Sequence, residues 1–184
     1  MEQEREWILR AQQGDRRAFG HLVRVYQRPV YNLAYRMLGD AAAAEEAAQE
    51  AFLRAYRHLR SYQPGRKLIN WLLSITSHYC IDQLRQRRLT WLSLEGPLSP
   101  DTLSSDQPTP EQVVEQRERE VLVQQLLARL PPEHRVAVVL RYWYDLSYRE
   151  IAETVGISEG AVKSRLFRAR QRLARMWQEM EAEG

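Results

Sequence analysis

Cysteine occurs once, at Cys80, in a chain of 184 residues. A single cysteine excludes an intramolecular disulfide framework, so a reducing compartment is the default. Glycine is sparse, at 8, and no glycine-rich loop of the phosphate-cradling kind is present. Long apolar runs are missing too. No stretch approaches the roughly 18 consecutive apolar residues that a membrane span needs. The N-terminal MEQEREWILRA mixes acids and bases and has no apolar core behind a basic start. A soluble, cytoplasmic protein without direct membrane insertion is expected. Metal-capable residues are thin. His78 and Cys80 stand two apart, and on a helix such a pair does not share a face. His21, His58 and His134 are scattered. No metal and no cofactor are expected. The carboxylates have no visible base or nucleophile beside them, so no active site is legible and an enzyme is the least supported class. Period-2 alternation is almost absent, which argues against sheets.

What the chain has is helix-forming sequence and unevenly placed charge. The net charge of +3 says little by itself. Residues 1–89 hold 15 basic and 9 acidic residues, or +6. Residues 90–120 hold 2 and 7, or −5, and residues 121–184 hold 10 and 8, or +2. Two basic regions around an acidic spacer suit two contacts with one polyanion. The spacer LEGPLSPDTLSSDQPTPEQ, 94–112, is rich in proline, serine and threonine and reads as a linker.

The N-terminal block reads as successive helices. Glu4 to Gly14 carries Trp7, Ile8 and Ala11. Asp15 can cap a second helix with Phe19, Leu22, Val23 and Tyr26. Pro29 suits the start of a third, which ends at Gly39. Asp40 caps AAAAEEAAQEAFLRAYRHL, a strong helix former. The Pro-Gly of SYQPGRK, 61–67, breaks that helix, and another runs from about Leu68 to Arg88. In the C-terminal block, Pro131-Pro132 marks a helix start. Tyr142, Trp143 and Tyr144 read as core aromatics.

LSYREIAETVGISEGAVKSRLFRARQRL, 146–173, is the most specific stretch. Ile151, Ala152 and Val155 mark one short helix, and Ala161 or Val162, Leu166 and Leu173, with Ala169 close by, mark another. Gly156 suits a left-handed helix end, and Ser158 suits the next N-cap. Two helices joined by a glycine-containing turn match a helix-turn-helix. From Ser158 to Trp177 there are six basic residues and one acid, Glu159, or +5. The second helix of such a unit normally lies in a DNA major groove, with its first residues at the base edges.

These features together resemble the extracytoplasmic-function (ECF) class of bacterial RNA polymerase sigma factors, in the sigma-70 family. The resemblance runs from about Arg10 to about Arg175. It rests on DAAAAEEAAQEAFLRAYRHL, INWLLSITSHYCIDQLRQRR and LPPEHRVAVVLRYWYDLSYREIAETVGISEGAVKSRLFRARQRL. It implies an all-α fold of two small helical domains on a flexible linker, the C-terminal one a helix-turn-helix. The expected divisions are a sigma-two-like domain over 1–92, a linker over 93–112, a sigma-four-like domain over 113–177 and a tail over 178–184. It also implies promoter recognition and transcription initiation with core RNA polymerase, on double-stranded promoter DNA, with help in strand opening.

The same resemblance assigns residues. Glu45, Glu46, Gln49, Glu50 and Phe52 match the helix that binds core polymerase, with Glu46 where the pattern usually has Asp. Tyr62, Ser74, His78, Asp82, Arg85 and Arg88 match the region that reads the downstream promoter element. At Leu68, Ser74 and His78 the pattern usually has Phe, Arg and Asn, so this chain departs there. Ser158, Glu159, Lys163, Ser164, Arg165 and Arg168 are expected at the upstream element. Lys163 and Arg165 lie early enough to reach base edges or the phosphates beside them. An anti-sigma factor is an expected partner by the same analogy. The alternative is a stand-alone helix-turn-helix transcriptional regulator. That reading leaves the acidic helix and the N-terminal basic helices unexplained.

Overall fold

The computed structural model describes residues 2–63, 65–93 and 111–183, with the backbone alone at 90–93, 111–117 and 183. Eight α-helices are described, and no strand is found among these residues. They are α1 (Glu2–Gln12), α2 (Arg16–Leu38), α3 (Ala41–His58), α4 (Leu68–Ser93), α5 (Glu111–Ala128), α6 (Pro132–Trp143), α7 (Tyr148–Val155) and α8 (Glu159–Glu183). One 3-10 turn, Leu59–Ser61, follows α3. Most of the expected linker, 94–110, lies outside the described residues, as does Trp91's side chain.

Local chemistry sets the helix ends. The Asp15 carboxylate accepts from the backbone N–H groups of Arg17 and Ala18, and Asp40 accepts from Ala43. Both satisfy first-turn donors that have no partner within the helix. Gly39 (φ 74°) and Gly156 (φ 70°) end α2 and α7 in the left-handed region, where a side chain is strained. Ser158 accepts from the Ala161 N–H at 3.2 Å and caps α8. The sequence reading missed a full capping box at α7. There Ser147 Oγ accepts from the Glu150 N–H, and the Glu150 carboxylate accepts from the Ser147 N–H.

The largest departure from expectation is α2. Two helices meeting at Pro29 were expected, and one 23-residue helix runs straight through. Pro29 removes the N–H that would bond to the Val25 carbonyl. Val25 is exposed, so water can take that carbonyl. The apolar stripe of Leu22, Val30, Leu33, Ala34 and Met37 is buried on both sides of the proline, and its packing keeps the helix continuous. At the other end of the chain α8 continues through 178–183, expected as a tail; nothing before Gly184 breaks it.

Two cores result. One joins Ile8, Ala18, Leu22, Val30, Ala51, Leu59, Tyr62 and Leu72 from α1 to α4. The alanines Ala44, Ala47, Ala48, Ala51 and Ala55 leave α3 flat enough to lie close to its neighbours. The other core takes Leu33, Met37, Leu73 and Ile81 from the N-terminal half and Leu127, Val138, Leu146, Ile151, Val162 and Leu166 from the C-terminal half. The halves are therefore packed on each other. Polar groups secure the join. Tyr144 Oη donates to the Pro29 carbonyl at 2.5 Å, and Gln124 Nε2 donates to the Tyr35 and Arg36 carbonyls. The Arg36 guanidinium lies 4.2 Å from the centre of the Trp143 ring. The aromatic cluster read as core is thus divided. Tyr142 is exposed, Trp143 is 39% exposed and shared with α2, and Tyr144 reaches across to Pro29. Aromatic composition alone does not distinguish these places.

Candidate protein and nucleic-acid interfaces

On α3, the 3.6-residue period turns Ala44, Ala47, Ala48, Ala51 and Ala55 inward. It leaves Glu45, Glu46 and Gln49 exposed together. Glu50 is half-buried and accepts from Arg54 Nε at 2.7 Å. The Arg54 guanidinium lies 5.0 Å from the centre of the Tyr79 ring. Phe52 packs partly buried against the N-terminal core. Three of the five expected polymerase-binding residues therefore present themselves, and two brace the helix. Sequence reading missed Leu53 and Tyr56, which continue the exposed face and are 52% and 37% exposed. Their positions, four and seven after Gln49, were the available signal.

The candidate downstream-element residues sit on α4 and the loop before it. Ser74, His78, Asp82 and Arg85 follow at steps of four, four and three, which is one stripe of a helix. His78, Asp82, Arg85 and Arg88 are exposed. The His78 ring nitrogen Nδ1 bonds the Ser74 carbonyl at 2.7 Å. Ser74 is half-buried beneath α7. Tyr62, expected among the residues of the downstream element, is not on the surface. It is 6% exposed, tilts against Trp71 with ring centres 5.2 Å apart, and donates its hydroxyl to the Arg66 carbonyl. It shapes the loop from within. Burial pushes its phenol pKa up.

The α7–α8 unit is a helix-turn-helix with Ile151, Ala152, Val155, Val162, Leu166 and Ala169 buried between its helices and α6. Opposite that stripe, Ser164 and Phe167 face outward, with Lys163 and Arg168 beside them, all exposed. Phe167, 57% exposed, was missed as a candidate. A large aromatic at an outward position of a basic helix was its sequence signal. Ser158 is used as the cap, and Glu159 lies in the first turn, where its charge suits the helix dipole. Arg165 is half-buried on the flank toward α6. Its field acts on Glu133 and His134 there. Burial, with Arg165, Arg168 and Arg172 adding to it, pushes His134 below the usual histidine value, so the ring is neutral near pH 7.

Among the described residues, no group of three or more His, Cys, Asp and Glu could hold a metal ion. No helix there is long and apolar enough to cross a membrane.

Residues 22–90 match the family model "Sigma-70 region 2", and residues 120–173 match "Sigma-70, region 4". The chain is 34% identical over 179 residues to the ECF RNA polymerase sigma factor SigW of Bacillus subtilis (strain 168), covering 94% of this chain and 96% of that protein. A solved structure, "Structure of CnrH in complex with the cytosolic domain of CnrY", superposes with a TM-score of 0.70 at 24% identity, over 96% of this chain and 98% of that one. Another, the sigma factor RpoE in complex with the anti-sigma factor NepR from Bartonella quintana, gives 0.68 at 22% identity, over 87% and 96%. At those identities the two structures speak for the fold.

Proposed function

Since the chain belongs to the sigma-70 family, in the ECF class of RNA polymerase sigma factors, we propose a division of labour among its exposed faces. As a sigma factor it binds core RNA polymerase and promoter DNA and serves transcription initiation. In the proposal, α3 docks on the polymerase through Glu45, Glu46 and Gln49, with Leu53 and Tyr56 extending the contact. The observation that carries this reading is the continuous exposed face of those five residues on a helix whose opposite face is alanine. Carboxylates at the rim suit a basic partner, and the two apolar side chains gain from burial against it.

The α4 stripe, with Arg85 and Arg88, meets the downstream promoter element and assists strand opening. On α8, Lys163, Ser164 and Phe167 face the bases of the upstream element, while Arg165 and Arg168 meet flanking phosphates. The chain performs no bond chemistry of its own and acts in the cytoplasm. Control by an anti-sigma factor is part of the proposal, supported by family analogy. The stand-alone regulator is the weaker reading, because it gives the sigma-70 region 2 match over 22–90 no role.

Capture by core polymerase tests the central assignment. Glu46→Arg with Gln49→Arg should abolish capture while helical circular dichroism is unchanged. Undiminished capture would remove α3 from the contact. Run-off transcription on genomic fragments, with core enzyme alone and with the chain added, tests the activity as a whole.

A further inference from the structure

Gln12, the last residue of α1, lies ahead of the segment matched over 22–90, yet its side chain reaches the turn that leads into α4. Its amide Nε2 donates to the Leu59 carbonyl at 3.0 Å and to the Tyr62 carbonyl at 3.1 Å. A glutamine amide nitrogen has two N–H donors, and the two carbonyls take both. Both partners are acceptors, so only the nitrogen end of the amide can face them. α1 is itself held in place. Ile8 and Ala11 are buried, Trp7 stacks on His21 with ring centres 4.9 Å apart, and Tyr26 Oη donates to Glu4 at 2.6 Å.

The turn is pinned at both ends. At its entry Gln12 holds the Leu59 and Tyr62 carbonyls, and the Tyr62 N–H donates to the Leu59 carbonyl at 3.1 Å. At its exit the Tyr62 hydroxyl donates to the Arg66 carbonyl, and the Lys67 carbonyl accepts from the Asn70 and Trp71 N–H groups in the first turn of α4. Between the pins the Arg66 N–H donates to the Gln63 carbonyl at 3.3 Å, while the side chains of Gln63 and Arg66 are exposed. Both pins therefore meet in Tyr62. Its backbone is held by Gln12, and its ring rests on Trp71 and carries the exit bond.

We infer that Gln12 is a positioning residue for the downstream promoter element. Through the Leu59 and Tyr62 carbonyls it sets the conformation in which the turn presents Gln63 and Arg66 to DNA. The inference rests on the reading of α4 and the loop before it as facing that element. Groups that recognise a base must be held within about 0.5 Å of their productive place, and an exposed turn needs outside support to achieve this. Loss of the Gln12 bonds removes no group that touches DNA. It broadens the positions of those that do, so discrimination falls before affinity does.

The test uses the full chain assembled with core polymerase. A promoter found by run-off transcription on genomic fragments is randomised in each element in turn, and a transcribed barcode reports which bases support transcription. Gln12→Met keeps the bulk and removes both donors. Gln12→Glu keeps the shape and sets oxygens against the two carbonyls. Gln13→Glu, adjacent and exposed, is the control for added charge. Both Gln12 variants should lower discrimination at one or two downstream positions about three- to tenfold, part of the usual cost of a mismatched base pair. Upstream preference and capture by core polymerase should be unchanged, and Gln13→Glu should leave both profiles as they are. In the free chain, Gln12→Met should speed amide hydrogen exchange at Tyr62 and Arg66 about threefold or more.

Wild-type downstream preference in both Gln12 variants overturns the inference. So does a uniform loss at all sequences that follows a fall in thermal stability, because Gln12 would then only hold the fold. An effect of Gln12→Glu that Gln13→Glu reproduces and Gln12→Met lacks overturns it too, since charge alone would be the cause. Gln63→Ala with Arg66→Ala separates these failures from failure of the reading beneath them. A changed downstream profile for that pair keeps the loop on DNA and rejects Gln12 alone. An unchanged profile removes the loop from the downstream element.

Discussion

Arg135 is the residue whose role the sequence hid most completely. It is 6% exposed, and among the described residues no acid is paired with it. Its guanidinium donates instead to the Met37 carbonyl and to those of Ala128 and Leu130, at 2.7 and 3.2 Å. The Met37 and Ala128 carbonyls lie at the C-terminal ends of α2 and α5, where the helix dipoles concentrate negative charge, and Leu130 follows two residues after α5. Burial lowers the Arg135 pKa to about 10, so it stays charged near pH 7. Met37 is 98 residues away along the chain, and a carbonyl leaves no mark in a side-chain pattern. Arg135→Met keeps the bulk and orphans the carbonyls. It should destabilise the protein by about 2–4 kcal/mol, read from urea unfolding, at the cost expected for buried unmet acceptors. A change under about 0.5 kcal/mol would show that water replaces the guanidinium without loss.

Cys80 gives a second prediction at this scale. It is fully buried, and burial pushes its thiol pKa up to about 12. The nucleophile is the thiolate, so near pH 8 the folded protein should resist thiol reagents, and labelling should follow the unfolding curve. The sign for stability follows. The neutral thiol's contribution is whole below the unfolded value of 9.0 and is lost as pH rises toward 12. Fast stoichiometric labelling under native conditions would contradict this placement.

At the scale of elements, most caps, the helix-turn-helix and the α3 helix were legible, because each is written in neighbouring residues; the Ser147–Glu150 capping box was equally local and was missed. Gly39, Asp40, Gly156 and Ser158 act where their chemistry predicts. The continuity of α2 was not, since local geometry favours a break at Pro29 and only burial on both sides overrides it. The rotation of α8 was half legible. Its apolar stripe was clear, but which flank meets α6 depends on packing. That packing turns Arg165 toward Glu133 and makes Lys163, Ser164 and Phe167 the outward residues. Arg165→Ala should therefore weaken the upstream contact about equally at all sequences and reduce the salt slope by about one. Ser164→Ala or Phe167→Ala should relax preference at one or two base pairs. Transcription from a library randomised in the upstream element distinguishes them. A base-specific loss for Arg165→Ala would return it to the groove. Leu166→Asp, at a position 1% exposed, should unfold the C-terminal half by burying an unpaired charge.

The molecule as a whole adds what no segment shows: two helical halves, each complete in its motifs, share one core across α2, α4, α6 and α7. That join is encoded by residues about 50 to 115 positions apart, such as Arg85 with Glu133 and Pro29 with Tyr144. It has a consequence for the order of events. On α3, Glu45, Glu46, Gln49, Leu53 and Tyr56 are exposed, whereas on α4 Ser74 is half-buried beside α7 and Arg85 is paired with Glu133. In the proposed division of labour, docking through α3 therefore requires no opening, and access to Ser74 and Arg85 does. A short bis-maleimide bridging Arg36→Cys to Trp143→Cys would hold the halves together at a contact outside both α3's exposed face and the α4 stripe. Cys80, buried and unreactive, does not compete for the reagent. The bridged chain should still be captured by core polymerase, more weakly because its second domain cannot reach a separate contact. It should support little run-off transcription, and a cleavable bridge should restore activity when cut. Full transcription by the bridged chain would mean that α4 reads DNA with α6 and α7 still in place.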